Sequence, residues 1–151
     1  MTVFLLILLI LALLHGAAKA GLNPVKDFAA NARIATGLTF IFIGATHFLA
    51  PGKYLEMMPP FIPAPVLMIY ISGFFEILGG AGLLLSRTKR AAAFGLVALL
   101  LAVFPANIYV ALANVQLGGY MNYALYQWLR LPMQFVLIWW VLRITKDAKP
   151  L

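Results

Sequence analysis

A histidine and a carboxylate stand inside consecutive apolar stretches of this sequence. His47 closes the run Gly44-Ala-Thr-His-Phe-Leu-Ala-Pro51, and Glu76 lies within Ser72-Gly-Phe-Phe-Glu-Ile-Leu-Gly-Gly-Ala-Gly82. An acid and an imidazole together can hold and pass a proton. Asn107 follows Pro105 in Val103-Phe-Pro-Ala-Asn. Tyr123, Gln127, Arg130 and Gln134 are spaced i, i+4, i+7, i+11, which on a helix is one face. A charge at membrane depth costs at least ~2.5 kcal/mol on the translocon scale, so Glu76 and Arg130 each need a partner. The planar guanidinium fork matches a carboxylate, and we expect a Glu76–Arg130 ion pair. Two readings of that pair stay open. It fixes the register of two helices, or it floors a polar cavity.

The candidate polar cluster is therefore His47, Glu76, Asn107, Gln127, Arg130 and Gln134. His47 itself is open to three readings: a cap or interface histidine, a hydrogen-bond partner of Glu56 or Glu76, or a ligand. Met57 and Met58 lie near it, and thioether with imidazole suits Cu(I). Adjacent methionines in an apolar loop more often fill an interface, so no metal centre is expected. The other histidine, His15, belongs near the opposite end of its helix, which disfavours a bis-His haem. Tyrosines and tryptophans such as Tyr126 and Trp128 suit interfacial belts, and some would line a flat slot for a quinone-like ring. No catalytic set is assigned.

The elements that must position these groups are membrane helices. Of 151 residues, 64% are hydrophobic and 10% charged, against about half and a quarter in soluble domains. Apolar runs cover about 3–18, 34–50, 66–85, 91–113 and 124–142. Lipid cannot satisfy an open strand edge, and the alternation of a membrane barrel is absent, so the fold class is all-α and polytopic. The prolines at 51, 59, 60, 63 and 65 force extended or turn geometry on the connection after the second run, which is expected to lie in the interface or dip back into the bundle. Gly37 and Gly44, and Gly73, Gly79, Gly80 and Gly82, supply close helix approach. A phosphate-cradling loop is a poor alternative for these glycines, because neither a preceding strand nor a suitably placed lysine is present.

The formal charge is +7 and there is no cysteine. The bases sit in short connections, which is the pattern of topology and not of nucleic-acid binding. With five spans, N-out and C-in, the inner segments hold Lys19, Lys26, Arg33, Arg87, Lys89, Arg90, Arg143, Lys146 and Lys149. The outer segments hold only Lys53, and Arg130 lies within the fifth span. The first run resembles a signal peptide in its Ala18-Lys19-Ala20, but no base precedes it, and the charge pattern favours its retention as an anchor. At about 1.5 Å per residue, His47 lies one turn below the outer surface and Glu76 roughly 15 Å down. Four helices thus direct polar groups into one outer half.

One family likeness arises at these residues. Gly44-x-x-His47-Phe48-x-x-Pro51, Met58-Pro59-Pro60, Pro63-x-Pro65, Tyr70-x-Ser72-Gly73-x-x-Glu76-x-x-x-Gly80-x-Gly82, Thr88-Lys89-Arg90 and Phe104-Pro105-Ala106-Asn107 resemble the DoxX-like membrane-protein family. The resemblance covers 31–144 and implies a four-helix transmembrane bundle in a bacterial inner membrane. Residues 1–20 then form an extra N-terminal transmembrane helix. It also implies an accessory role in quinone-linked redox chemistry, with His47, Glu76 and Asn107 at family positions but no shared catalytic set to carry over.

Three functions follow as expectations. The first is an accessory subunit with an outward polar pocket, linked to quinone chemistry. The second is an assembly factor or helper that binds other membrane proteins or lipids through its Gly-rich and Pro-rich surfaces; another membrane protein or a second copy of the chain is a candidate partner. The third is a stand-alone enzyme or carrier of a small lipophilic molecule that uses Glu76 and His47. The lipid bilayer is a partner in all three.

Overall fold

The computed structural model describes residues 2–22 and 27–146. Lys26 and Lys149, counted above among the inner bases, lie outside these residues. The chain forms helices α1 (Thr2–Lys19), α2 (Phe28–Leu49), α3 (Pro51–Leu55), α4 (Pro65–Leu84), α5 (Lys89–Ala113) and α6 (Ala124–Lys146), with a 3-10 turn at Gly119–Asn122. Among the described residues there is no strand.

Local chemistry sets the helix ends. Asp27 caps α2 by accepting from the Ala30 amide at 2.8 Å, so the helix starts six residues before the apolar run that marks it in the sequence. Pro51 and Pro65 occupy the first turns of α3 and α4, where a missing amide proton does no harm. Asn114 closes α5 in the left-handed region, at φ 48°.

Four helices are long and apolar enough to cross a membrane: α1, α2, α4 and α5. The 23-residue α6 has the length, but Gln127, Arg130 and Gln134 make it less apolar. Helix α1 packs on α2, α2 on α4, α4 on α5 and α5 on α6, and α6 returns to α2. The result is a closed bundle of α2, α4, α5 and α6. Helix α1 is not peripheral to its core, because Ile7 and Leu11 are buried with Phe40, Leu83, Leu96 and Val141.

Reciprocal glycine contacts fix how close α2 and α4 come. A Cβ on Gly37 would lie 2.8 Å from the Gly80 carbonyl oxygen, and one on Gly80 would lie 2.6 Å from the Gly37 carbonyl oxygen. Gly44 and Gly73 meet in the same way, at 2.6 and 2.8 Å. Seven residues separate the two glycines on each helix, so both antiparallel backbones touch at two levels two turns apart. Gly79 and Gly82 point elsewhere, against Leu96 and Ala92 of α5. In lipid, where burial of apolar surface drives little association, such close backbone packing contributes much of what holds helices together.

The bundle has a basic end. Lys19 ends α1, Arg87, Lys89 and Arg90 turn α4 into α5, and Arg143 and Lys146 lie in the last turn of α6. Arg33, counted above as another topology charge, is fully buried instead, and its guanidinium nitrogens have no hydrogen-bond partner among the described residues. The opposite end carries Lys53.

Candidate functional site

The glycine contacts that join α2 and α4 also place their polar groups. On α4, Gly73, Glu76 and Gly80 share one face, and on α2 Gly44 and His47 share the facing one. A Cβ on Gly73 would in fact lie 2.6 Å from the Cβ of His47. This brings His47 Nε2 to 3.7 Å from Glu76 Oε2, with the two side chains only 8% and 13% exposed. The other imidazole nitrogen, Nδ1, lies 3.2 Å from the Ile69 carbonyl oxygen and 3.1 Å from Ser72 Oγ. Ser72 in turn donates to the Ile69 carbonyl at 2.8 Å.

Helix α3 covers the imidazole with Tyr54, whose ring centre is 3.8 Å from that of His47. The Tyr54 hydroxyl meets Thr46 Oγ1 at 2.5 Å, and Thr46 donates to the Ile43 carbonyl at 2.6 Å. With the Thr46 proton directed there, Tyr54 is the donor to Thr46. Burial holds the Tyr54 phenol above its usual pKa.

A second polar group forms between α5 and α6. Arg130 Nη2 donates to Asn107 Oδ1 at 2.6 Å, and Asn107 Nδ2 donates to Gln134 Oε1 at 2.6 Å. Gln134 Nε2 donates onward to the Leu100 carbonyl. That carbonyl neighbours the one at Leu101, which Pro105 deprives of its helical donor. The relay explains how the bundle holds an arginine in its interior: Asn107 accepts from the cation, and Gln134, itself anchored on the Leu100 carbonyl, orients Asn107.

The two groups face one cavity of about 530 Å³. Its walls include His47 and Glu76 on one side and Asn107, Arg130 and Gln134 on the other, with α1 contributing Thr2, Val3 and Phe4. The remaining lining is mostly apolar, including Phe42, Leu100, Val103 and Leu137. Four methionines, Met57, Met58, Met121 and Met133, line it as well. Thioether side chains adapt to varied apolar shapes. The cavity lies at the end of the bundle opposite the basic residues, among the end of α2, the start of α4, the end of α5 and the start of α6.

Two sequence expectations need correction. Glu76 does not pair with Arg130: its acid–base neighbour is His47, and Arg130 bonds to Asn107. Helix azimuth decides this, because the glycine face of α4 turns Glu76 toward α2. Gln127 is buried but does not line the cavity. Its amide donates to the Val115 and Met121 carbonyls at 2.7 and 3.1 Å, tying the α5–α6 connection to the first turn of α6. Tyr123, on the same predicted face, is 71% exposed. His15 packs edge-on to Phe28, away from the cavity, with ring centres 6.5 Å apart. Sequence reasoning missed Ser72, although its i, i+4 spacing to Glu76 was a signal. It also missed Met121 and Met133, which nothing local distinguishes from lipid-facing methionines.

A family model described as Domain of unknown function (DUF8561) matches residues 36–145. The match spans most of the chain, from the middle of α2 through α6, and the chain belongs to this family. No curated protein and no solved structure matches it.

Proposed function

We propose that this member of the DUF8561 family is an integral membrane protein that binds a small lipophilic molecule with a polar head in the cavity described above. One observation carries the reading. Polar side chains from four separate helices, His47, Glu76, Asn107, Arg130 and Gln134 among them, converge on a single, mostly apolar cavity of about 530 Å³. That volume and that lining, apolar with a few convergent polar groups, are those of a small-molecule site. A surface that only held other membrane proteins would need no such interior.

In this proposal all five long helices span the bilayer, N-out and C-in. The collection of bases at one end of the bundle, against Lys53 at the other, supports it through the positive-inside rule. The cavity then opens in the outer half. The resemblance to the DoxX-like family supports a quinone-class ring as the occupant, a bacterial inner membrane as the location and an accessory role beside a membrane oxidoreductase.

The test is to purify the protein from native membranes and extract what it carries. Ala106 lines the cavity, and Ala106→Trp fills it. Wild type is expected to yield a lipophilic molecule that the filled variant lacks. A short-tail hydroquinone is expected to raise the melting temperature of wild type only. Identical extracts, together with no shift by the hydroquinone, reject the proposal.

A further inference from the structure

The two walls of the cavity have opposite hydrogen-bonding character, and this restricts the occupant further. The Ile69 carbonyl facing His47 Nδ1 can only accept. Ser72 already donates to that same carbonyl, so toward His47 it accepts too. Both neighbours require a proton on Nδ1. In the neutral ring Nε2 is then a bare acceptor. It stands 3.7 Å from Glu76 Oε2, a separation beyond a good hydrogen bond, and that buried oxygen has no hydrogen-bond partner among the described residues. One proton at most lies between imidazole and carboxyl. Whether it resides on the acid or on the ring, the wall that His47 and Glu76 form keeps an acceptor.

The opposite wall is the reverse. A guanidinium has donors and no acceptor, and Asn107 takes only one of the Arg130 nitrogens at 2.6 Å.

We infer that the occupant donates a hydrogen bond to the Glu76–His47 wall and accepts one from Arg130, so that the cavity selects a phenol- or hydroquinone-type amphiphile over its carbonyl-only or ether-only counterpart. This rests on the ligand-binding reading above and narrows it. An acceptor-only ring fits the Arg130 side but brings no proton to the acceptors of the Glu76–His47 wall. A neutral hydroxyl suits the site better than an ammonium, because Arg130 and Lys53 already place two cations on the lining and a third would be repelled.

Redox-inert probes isolate the effect. A 4-alkoxyphenol carries a donor at one end of its ring and an acceptor at the other, while a 1,4-dialkoxybenzene of equal carbon number carries acceptors only. Binding of each is measured to the full-length protein in lipid nanodiscs. The phenol is expected to bind at least about tenfold more tightly, the worth of one hydrogen bond to a charged or buried acceptor. Glu76→Leu is expected to shrink the ratio below about threefold by removing that acceptor. Equal affinities in wild type overturn the inference while leaving ligand binding intact. Binding of neither probe overturns the ligand-binding reading and the inference with it. A ratio unchanged in both Glu76→Leu and His47→Phe overturns the assignment to this wall. The wild-type comparison stands even where a variant does not fold.

Discussion

His47 Nε2 stands 3.7 Å from Glu76 Oε2, the two residues lying one turn to either side of the level at which Gly44 and Gly73 bring the antiparallel backbones of α2 and α4 together. Helix packing and the acid–base contact are therefore one arrangement. Residues that share a neighbour couple energetically, and those that do not behave additively. A double-mutant cycle of Glu76→Gln with His47→Phe should show an interaction of about 1 kcal/mol in detergent unfolding. The cycle of Glu76→Gln with Arg130→Gln should be additive to within about 0.5 kcal/mol. The reverse result would mean that the carboxylate answers to the arginine and not to the imidazole.

The glycines should rank by what an added methyl group meets. At Gly80 it meets the Gly37 carbonyl oxygen at 2.6 Å and the Ile41 amide nitrogen at 2.9 Å, both backbone atoms that cannot move aside. Gly80→Ala should cost about 1–3 kcal/mol, in the range of overpacked cores, and lower the melting temperature. At Gly79 the obstacle is the Leu96 side chain, Cδ2 and Cγ both at 2.6 Å, and a side chain can shift where a backbone cannot, so Gly79→Ala should cost less. At Gly95 nothing lies within 4 Å, and Gly95→Ala should be neutral or slightly stabilising. Equal melting temperatures across the three would contradict the backbone-to-backbone crossing.

Asn107 is the middle of the relay from Arg130 to Gln134, accepting at 2.6 Å on one side and donating at 2.6 Å on the other. Asn107→Leu leaves both neighbours short of a partner and should cost about 2–3 kcal/mol of stability. Asn107→Asp keeps an acceptor for the guanidinium but loses the donor to Gln134, so its loss should be smaller. Chemical unfolding in detergent measures both. If the leucine variant is as stable as wild type, the relay does not hold the arginine in place.

Much of this was legible in the sequence. The apolar runs and the prolines at 51 and 65 locate the helices, and the polar positions on α2, α4, α5 and α6 mark the cavity end. What the sequence reading missed was the choice of partners across helices. Arg130 and His47 are both chemically suitable for Glu76, and only the azimuth of α4 distinguishes them. The signal was there. Gly73, Glu76 and Gly80 are spaced i, i+3, i+7, so a stripe that packs on α2 carries the carboxylate with it. Gln127 shows the opposite case. Its spacing to Arg130 and Gln134 is right for one face, yet at the first turn of α6 the carbonyls of Val115 and Met121 compete for its amide. Such capture depends on the path of a connection, which no helical period encodes. The role of α1 in the core was hidden for a similar reason: its leucines look alike from every side, and only packing selects Ile7 and Leu11.

Membrane orientation can be tested with little interference, because the chain has no cysteine of its own. Lys53 and Gln116 are exposed at the cavity end, and Arg87 and Lys146 are exposed at the basic end. Single cysteines at these four positions report the side of the membrane by their reaction with an impermeant maleimide. The positive-inside rule predicts that Lys53→Cys and Gln116→Cys react in intact cells, and that Arg87→Cys and Lys146→Cys react only after permeabilisation. The pair Gln116 and Lys146 also decides whether α6 spans the bilayer, since the two residues flank it. Labelling of both from the same side would leave α6 lying along the membrane. The Asn107–Arg130 relay would then face the interface, and the outer-half cavity would lose one of its two polar walls.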